Sequence, residues 1–521
     1  MASPWAPLQN RMFLILWLAQ LGSNIGSWMQ TVGAQWYLVE TGASPALVSL
    51  VQTASLAPAL LLGLIAGVLA DAFNRRRLIL GANLFAAGAG ILLTVIAALG
   101  LLGPDALLLY TFLIGCGVAL SSPAWQAITP SLVPRDQIRS ASALGSVAMN
   151  AARAIGPAVG GLLVSLAGPA FVFGVNAVSF LGTALAVFVW RGAPESPADR
   201  ERVGEAMAAG IRYVRAAPRI RRILLRCVMF MVPASSLYAL LPIAVNGHLQ
   251  LGSSGYGLLL GALGIGAILG VVIQGRVREL FPDNALLAAS AVAFGACVFA
   301  AGYLPAVPLA ALLVLGGAAW INTFSTLNSA VQLTLPEWVR ARGLSVYLMV
   351  FTGTQAFGSL LWGSLATAYG YSAVLAAAGV VLVLVAASVA VLPLLPRTGK
   401  LDRSVPEPDL GLEVEKEPRP DDGPVTVLVA YELEPGETAA FVQAMHEVRL
   451  SRMRTGATGW ELVHSVTDSR QFREIYDVPT WREYMRQEHE RLTGEDRKNI
   501  ERAESLAAEE PRTRWFLPAK A

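Results

Sequence analysis

Apolar positions along residues 1–396 do not recur at the spacing of a half-buried strand or a surface helix. They run together in long blocks broken by short polar segments. A helix needs about 20 consecutive apolar residues to cross the hydrocarbon of a bilayer. Blocks of that length fall at 12–38, 46–70, 77–101, 106–131, 140–168 and 170–190, and again at 222–247, 256–275, 284–303, 307–334, 343–369 and 371–395. Several contain Gly or Pro, which membrane helices accommodate when neighbours satisfy the freed backbone groups. The pattern predicts an all-α polytopic membrane protein: twelve transmembrane helices as two six-helix bundles, 1–190 and 222–396. The stretch between them, 191–221, is rich in charge and Pro, and its segment 203–214 reads as an amphipathic helix lying at the cytoplasmic surface.

Past residue 396 the pattern changes. Residues 397–423 are rich in Pro, Asp and Glu with few apolar positions, the composition of an extended linker. From 424 to 521 the periods become those of a soluble fold. VTVLVAYEL alternates as a strand; 436–454 places Phe441, Met445 and Val448 on one helical face; Trp460, Leu462, His464 and Val466 share a strand face. FREIYDV, helical segments over 480–509 and a terminal RTRWFLP strand complete the series. The order strand, helix, two strands, helix, strand predicts a C-terminal ferredoxin-like α+β domain.

Charge supports the division. The chain is 55% hydrophobic and 14% charged, against about 25% charged for an ordinary soluble domain. Residues 1–396 carry 20 Arg, no Lys and 11 acidic residues; residues 397–521 carry 19 basic and 25 acidic ones. Within the membrane part, basic residues fall in alternate loops: Arg75 to Arg77, Arg135 and Arg139, the 191–226 region, Arg276 and Arg278, Arg340 and Arg342, and beyond Arg397. The opposite loops, near Glu40, Asp105, Gly168, His248, Pro305 and Tyr369, contain no Lys or Arg. The positive-inside rule then puts both termini in the cytoplasm of a bacterial-type inner membrane protein. The run after Arg11 is too long for a signal-peptide core and lacks a small-residue cleavage site, so it reads as the first span. Cys116, Cys227 and Cys297 lie far apart in apolar runs and read as packing residues, with no disulfide, metal or redox spacing.

The two halves echo each other at a shift of about 202 residues. Gln126 and Pro134 correspond to Asn328 and Pro336, Gly156 and Gly161 to Gly358 and Gly363, and 67–71 resembles 270–274 with one further residue of shift. A parallel repeat of six spans is an arrangement found in secondary transporters.

Two motifs carry more specific content. Between spans two and three the chain reads GVLADAFNRRRLI over 67–79. This resembles the cytoplasmic signature of the major facilitator superfamily, G-x-L-A-D-R-x-G-R-K-x-x-L: Gly67, Leu69, Ala70, Asp71, Arg75 and Arg76 match, and Ala72 and Asn74 depart. Physically, Gly67 would let two helices approach closely. Asp71 would latch a helix end to an arginine or a helix N-terminus, a contact that must break when the halves rock. A plain positive-inside turn with an incidental Asp is the bland alternative. In span five, NAARAIGPAVGG over 150–161 ends in Gly156, Pro157, Gly160 and Gly161, which resembles the motif of the superfamily's export-directed branch. Two glycines expected upstream are Ala143 and Ala152 here. Tight packing of a kinkable helix, with no bearing on direction, is the alternative reading.

The segments GSNIGSWMQTVGAQWYLVETG, AGIRYVRAAPRIRR and SGYGLLLGALGIGAILG resemble the enterobactin-exporter-like, or transmembrane secretion effector, branch of that superfamily. The resemblance spans essentially the whole chain. It implies a major facilitator fold and a secondary active transporter that exports a small amphipathic, siderophore- or drug-like molecule by rocker-switch alternating access, with coupling to the proton gradient.

Arg153 is the ionisable residue nearest the middle of any predicted span. Placing Arg at a helix centre costs about 2.5–3.5 kcal/mol on the insertion scale, so it should face the bundle interior or a water-filled cavity. With no mid-span Asp or Glu to pair with, its partners would be polar side chains, backbone carbonyls or an anionic group on the substrate; capping carbonyls at a kink is the structural alternative. Asn24, Gln30 and Gln35 in span one, Gln126 in span four, Asn150 in span five, Asn322, Asn328 and Gln332 in span ten and Gln355 in span eleven should seek partners on other helices or line the cavity. Trp28, Trp36, Trp125 and Trp320 would join them around a large, flat, partly apolar ligand. Helix glue and interfacial anchoring explain the same residues more plainly.

No cofactor, metal or nucleic-acid motif stands out, and there is no G-x-x-x-x-G-K-[ST] phosphate loop for direct use of ATP. The C-terminal domain resembles dimeric α/β-barrel domains of the antibiotic-biosynthesis-monooxygenase type, which implies a possible homodimer through its open sheet. His446, His464, His489 and Trp460 are its candidate polar and aromatic residues. The chain thus reads as a transporter rather than an enzyme. A membrane-tethered enzyme oxidising a small aromatic substrate, and a non-transporting sensor or scaffold, are the alternatives.

Overall fold

A computed structural model describes residues 5–190, 203–396, 398, 401–405 and 418–519. The first helix, α1 (Arg11–Glu40), starts where the Asn10 carboxamide oxygen accepts from the Met12 and Phe13 N–H groups at 2.9 and 3.2 Å. Ser44 followed by Pro45 opens α2 (Pro45–Ala72), and Asn74 caps α3 (Arg75–Ala98) directly above the arginine triplet. Next come α4 (Pro104–Ile128) and the 52-residue α5 (Ile138–Val189). That last element is two legs: Gly168, at φ 78° and ψ 169° and followed by Pro169, reverses the chain between predicted spans five and six. The short α6 (Val203–Ala216) precedes α7 (Pro218–Gly247), α8 (Ser253–Leu280), α9 (Asp283–Ala300), α10 (Ala306–Thr334), α11 (Glu337–Tyr369) and α12 (Tyr371–Ala387). Among the described residues nine helices are long and apolar enough to cross a membrane, α5 counting once; α1 and the 17-residue α12 fall outside that set. The chain is an integral membrane protein.

Contacts divide the chain into two units. One gathers the described residues of Met1–Arg200, Leu225–Leu327 and Leu348–Pro393; the other those of Glu201–Leu224, Asn328–Tyr347 and Leu394–Ala521. Both predicted six-helix sets thus contribute to the first unit. The central-loop helix and the α10–α11 connection group with the soluble tail.

In the first unit, the glycines paired by the internal repeat sit at equivalent helix contacts. A Cβ on Gly156 would lie 2.6 Å from Trp28 Cβ in α1, and one on Gly358 2.7 Å from the Val232 carbonyl in α7. Gly161 packs on Gly257 of α8, whose Cα is 2.9 Å from that added Cβ; Gly363 packs on Ser49 of α2. Without a hydrophobic drive between helices in lipid, backbones close together only where side chains are this small.

In the second unit, residues 425–516 form β1 (Val425–Glu432), α13 (Thr438–Thr455), β2 (Gly459–His464), β3 (Gln471–Val478), α14 (Trp481–Arg486), α15 (Gly494–Glu504) and β4 (Arg512–Phe516). The strands pair antiparallel in the order β2-β3-β1-β4, the ferredoxin-like arrangement. Val425, Val427, Val429 and Tyr431 alternate inward from β1 onto Phe441, Met445 and Val448 of α13. Trp460 and Leu462 pack against this core, but Val466 lies past the end of β2 and is fully exposed. The linker contributes described residues to this unit. Its residues 401–405 dock at the start of α15, where Gly494 N–H donates to the Ser404 carbonyl at 2.8 Å and Lys498 Nζ to Asp402 at 3.3 Å.

Candidate substrate site

The Gly-Pro-x-x-Gly-Gly segment of α5 is held between α1, through Trp28 and Met29, and α8, through Gly257. This grip fixes the helix turn that carries Arg153. The Arg153 guanidinium lies over the Trp28 ring, 5.6 Å from its centroid. Its Nε is buried and has no hydrogen-bond partner among the described residues. A cation seated on an aromatic face gains from the ring quadrupole, yet a buried donor left unpaired is costly and needs an explanation.

On the other half, an aromatic cluster closes around Trp320 of α10. Tyr238 packs edge-on at 5.3 Å, with Phe294, Phe351 and Phe230 at 5.6, 6.1 and 6.2 Å. The Tyr238 hydroxyl lies within electrostatic reach of Arg153. Trp320 Nε1 and Asn322 Oδ1 are likewise buried without partners, although Asn322 Nδ2 donates to Ser290 Oγ at 2.8 Å. Each half thus carries a buried donor without a partner among the described residues, beside aromatic rings.

Contacts between the halves also lie around the arginine-free loops. Gln35 donates from Nε2 to the Tyr238 carbonyl at 3.0 Å and accepts from the Tyr256 hydroxyl at 2.6 Å, all buried. Tyr256 stacks on Trp36, whose Nε1 donates to Glu40 at 2.6 Å. Thr53 Oγ1 donates to the Ala356 carbonyl at 2.9 Å, and Ala46 N–H to Thr367 Oγ1 at 3.1 Å.

The sequence matches the family described as transmembrane secretion effector over residues 2–520. The chain belongs to that family. Among curated relatives, the enterobactin exporter of Citrobacter koseri is 27% identical over 309 residues, 58% of this chain and 72% of its own length. That of Shigella boydii serotype 18 is 28% identical over the same shares. Among solved structures, a bacterial homologue of the human lysosomal transporter Spinster, inward-facing and unoccupied, has a TM-score of 0.60 at 16% identity and covers 73% of this chain and 96% of its own. The nucleoside transporter NupG gives 0.60 at 13% identity over 73% of this chain and 98% of its own. These likenesses establish the fold. The secretion effector is a transmembrane transporter of the major facilitator type.

The structure sorts the other expected site residues of this secretion effector widely. Gln30 is buried and accepts from Asn176 Nδ2 within the first half, a helix-to-helix bond. Asn24 accepts from Gln20 Nε2 at 2.9 Å on its own helix. Asn150 donates to the Ser146 carbonyl at 2.9 Å, and exposed Gln126 reaches Ser122 Oγ at 3.5 Å. Gln355 is buried in α11. Asn328 bonds Gln332 and belongs to the second unit. Of the tryptophans, Trp28 and Trp320 join the set, Trp36 serves the closed end, and Trp125 packs on the Leu16 and Ile128 cluster.

In the loop signature, the Asp71 side chain lies outside the described residues. A Cβ on Gly67 would meet nothing within 4 Å, so no close helix approach occurs there in this conformation. Arg76 caps the end of α5, donating to the Val187 and Phe188 carbonyls at 3.2 and 2.5 Å. Arg75 donates to the Ala127 carbonyl of α4 at 3.5 Å. Its counterpart in the repeat, Arg278, donates to Ser325 and Thr326 of α10 at 3.3 and 3.2 Å. The basic loops therefore brace helix ends as well as setting charge. Of the tail histidines, His446 and His489 are exposed, while exposed His464 packs its ring on Phe472. Sequence reasoning missed Tyr238, Phe294 and Phe351, which look like ordinary apolar residues within their runs.

Proposed function

We propose that this secretion effector exports a small, anionic, aromatic compound of the siderophore class across the inner membrane, by alternating access of two six-helix halves. The loop arginines and the helix series, with α5 counted as two, support a reading of twelve spans with both termini cytoplasmic. The observation that carries the reading is Arg153: a cation at mid-span, stacked on Trp28, with a buried donor that no group among the described residues satisfies. An anionic aromatic ligand supplies the missing acceptor and a face for the surrounding rings. The likeness to enterobactin exporters supports a catecholate cargo. The cross-half bonds around Gln35 and Tyr256 support a conformer closed on the outer side and ready to load from the cytoplasm.

The test is enterobactin efflux from loaded proteoliposomes. Arg153→Ala is expected to lower the initial rate about tenfold or more, since hydrogen bonds to charged groups are worth about 1.5–3 kcal/mol. Arg153→Lys keeps charge but loses the planar fork, and is expected to fall between. Equal rates for wild type and Arg153→Ala, with both proteins folded, would remove Arg153 from the site. No wild-type efflux of enterobactin or related catecholates would remove the cargo class.

A further inference from the structure

The second unit joins three segments that are far apart in sequence: α6, the α10–α11 connection, and the soluble domain. Their junction is specific. The Arg491 guanidinium lies over the ring of Trp338, 4.9 Å from its centroid. Tyr213 of α6 meets the same ring edge-on at 5.7 Å and is only 2% exposed. Arg491 is held from behind by Glu483, with bonds of 2.8 and 3.1 Å, and donates to the Thr455 carbonyl at 3.2 Å. Trp338 Nε1 is buried without a hydrogen-bond partner among the described residues, and the indole is gripped through its face and edge. Around it, Leu335 and Val339 are fully buried. A Cβ on Gly210 of α6 would lie 3.0 Å from Arg342 Cβ. Tyr213 and Val214 of α6 are thus buried in protein.

The connection so gripped is the end of two long helices. α10 and α11 run without a break from this unit into the membrane unit. Rocking of the second half in alternating access must carry those helix ends with it. We infer that the soluble domain is a clamp on the transporter's own cycle: Arg491, Trp338 and Tyr213 form its jaw, and closing the jaw biases the equilibrium between the two access states. By linkage, whatever shifts the access equilibrium must shift jaw closure by the same factor.

The full chain in nanodiscs tests this, with Trp338→Ala on the loop side and Arg491→Gln on the tail side. A desolvated cation–π contact is worth about tenfold or more in an equilibrium. Amide exchange over α6 is therefore expected to speed up about tenfold in both variants, while β1 and β3 stay protected and report a folded domain. The double variant should add little to either single one, because both remove the same contact. Spin labels at Arg139→Cys and Arg276→Cys, on the basic-loop ends of the two halves, read the access equilibrium without any cargo. Both variants are expected to shift that distance distribution. Unchanged α6 exchange overturns the clamp. Loosened α6 with unchanged distances overturns its control of the cycle and leaves a static brace. The inference rests on alternating access but not on the cargo, so failed enterobactin efflux with shifted distances counts against the cargo alone. Loss of β1 and β3 protection in Arg491→Gln transfers the decision to Trp338→Ala, which lies outside the domain.

Discussion

Asp496 is 1% exposed and faces Arg454, itself 8% exposed, through bonds to Nη2 and to Nε, the latter at 2.8 Å. Burial pushes the carboxyl up, but the Arg454 charge and the Thr493 hydroxyl and N–H outweigh it and hold Asp496 below the usual aspartate range. A depressed carboxyl stabilises the fold above its unfolded value near pH 4 and ceases to do so as pH falls through its lowered folded value. Glu504, half-buried and pushed up by burial, acts in the opposite sense and blunts the slope. Asp496→Ala should therefore cost the domain about 3–5 kcal/mol at neutral pH, by stranding Arg454. It should also flatten the loss of protection between about pH 4 and pH 2, read by amide exchange of β1 and β3. Nothing in the sequence distinguishes this pair from surface charges, because Arg454 and Asp496 meet only across the fold. Arg153 is the contrary case. A lone charge in an apolar run stands out by itself; Trp28 stood out as one of four tryptophans, but its pairing with Arg153 across two helices did not.

At the scale of elements, spans were legible because a bilayer demands one long apolar run per crossing, and the repeat was legible because small residues recur where helices touch. Gly257 was not singled out, since one glycine in a Gly-rich helix has no distinguishing neighbour. In the structure it is the partner of Gly161, and a Cβ there would lie 3.0 Å from Gly161 Cα and against the Pro157 carbonyl. Gly257→Val should force α5 and α8 apart at a cost of about 1–3 kcal/mol, seen as a lower thermal unfolding midpoint in detergent. Gly67→Val, with open space around it, should leave the midpoint nearly unchanged. A drop for Gly67→Val matching that for Gly257→Val would contradict this packing. For α6, an amphipathic face beside basic residues reads as a bilayer-surface helix; its Tyr213 packs on Trp338, and the helix also meets α13. Hydrophobic periodicity says that a face must be covered, never by what.

For the whole molecule, the proposed cycle depends on how firmly the side of the arginine-free loops, the outer side in that reading, is shut. The buried bonds from Gln35 to Tyr256 and Tyr238 cross between the halves, and each end belongs to a different six-helix set. Gln35 looked like one amide among many in span one; only the assembled halves show that it has a partner in each direction. Tyr256→Phe removes one bond and leaves the Gln35 oxygen without its donor, a loss of about 1–3 kcal/mol to the closed side. Nothing comparable is lost when that side opens and water reaches the amide. The variant should therefore move the population toward the outer-open state by about fivefold or more. Spin labels at Thr41→Cys and Gln250→Cys, in arginine-free loops of the two halves, should report a longer-distance population that grows in Tyr256→Phe. Gln35→Leu should do the same and add little when combined, since both remove one shared contact. A distribution identical to wild type in both variants would mean that the small-residue contacts of α5 with α8 and α2 with α11 hold the outer side shut by themselves.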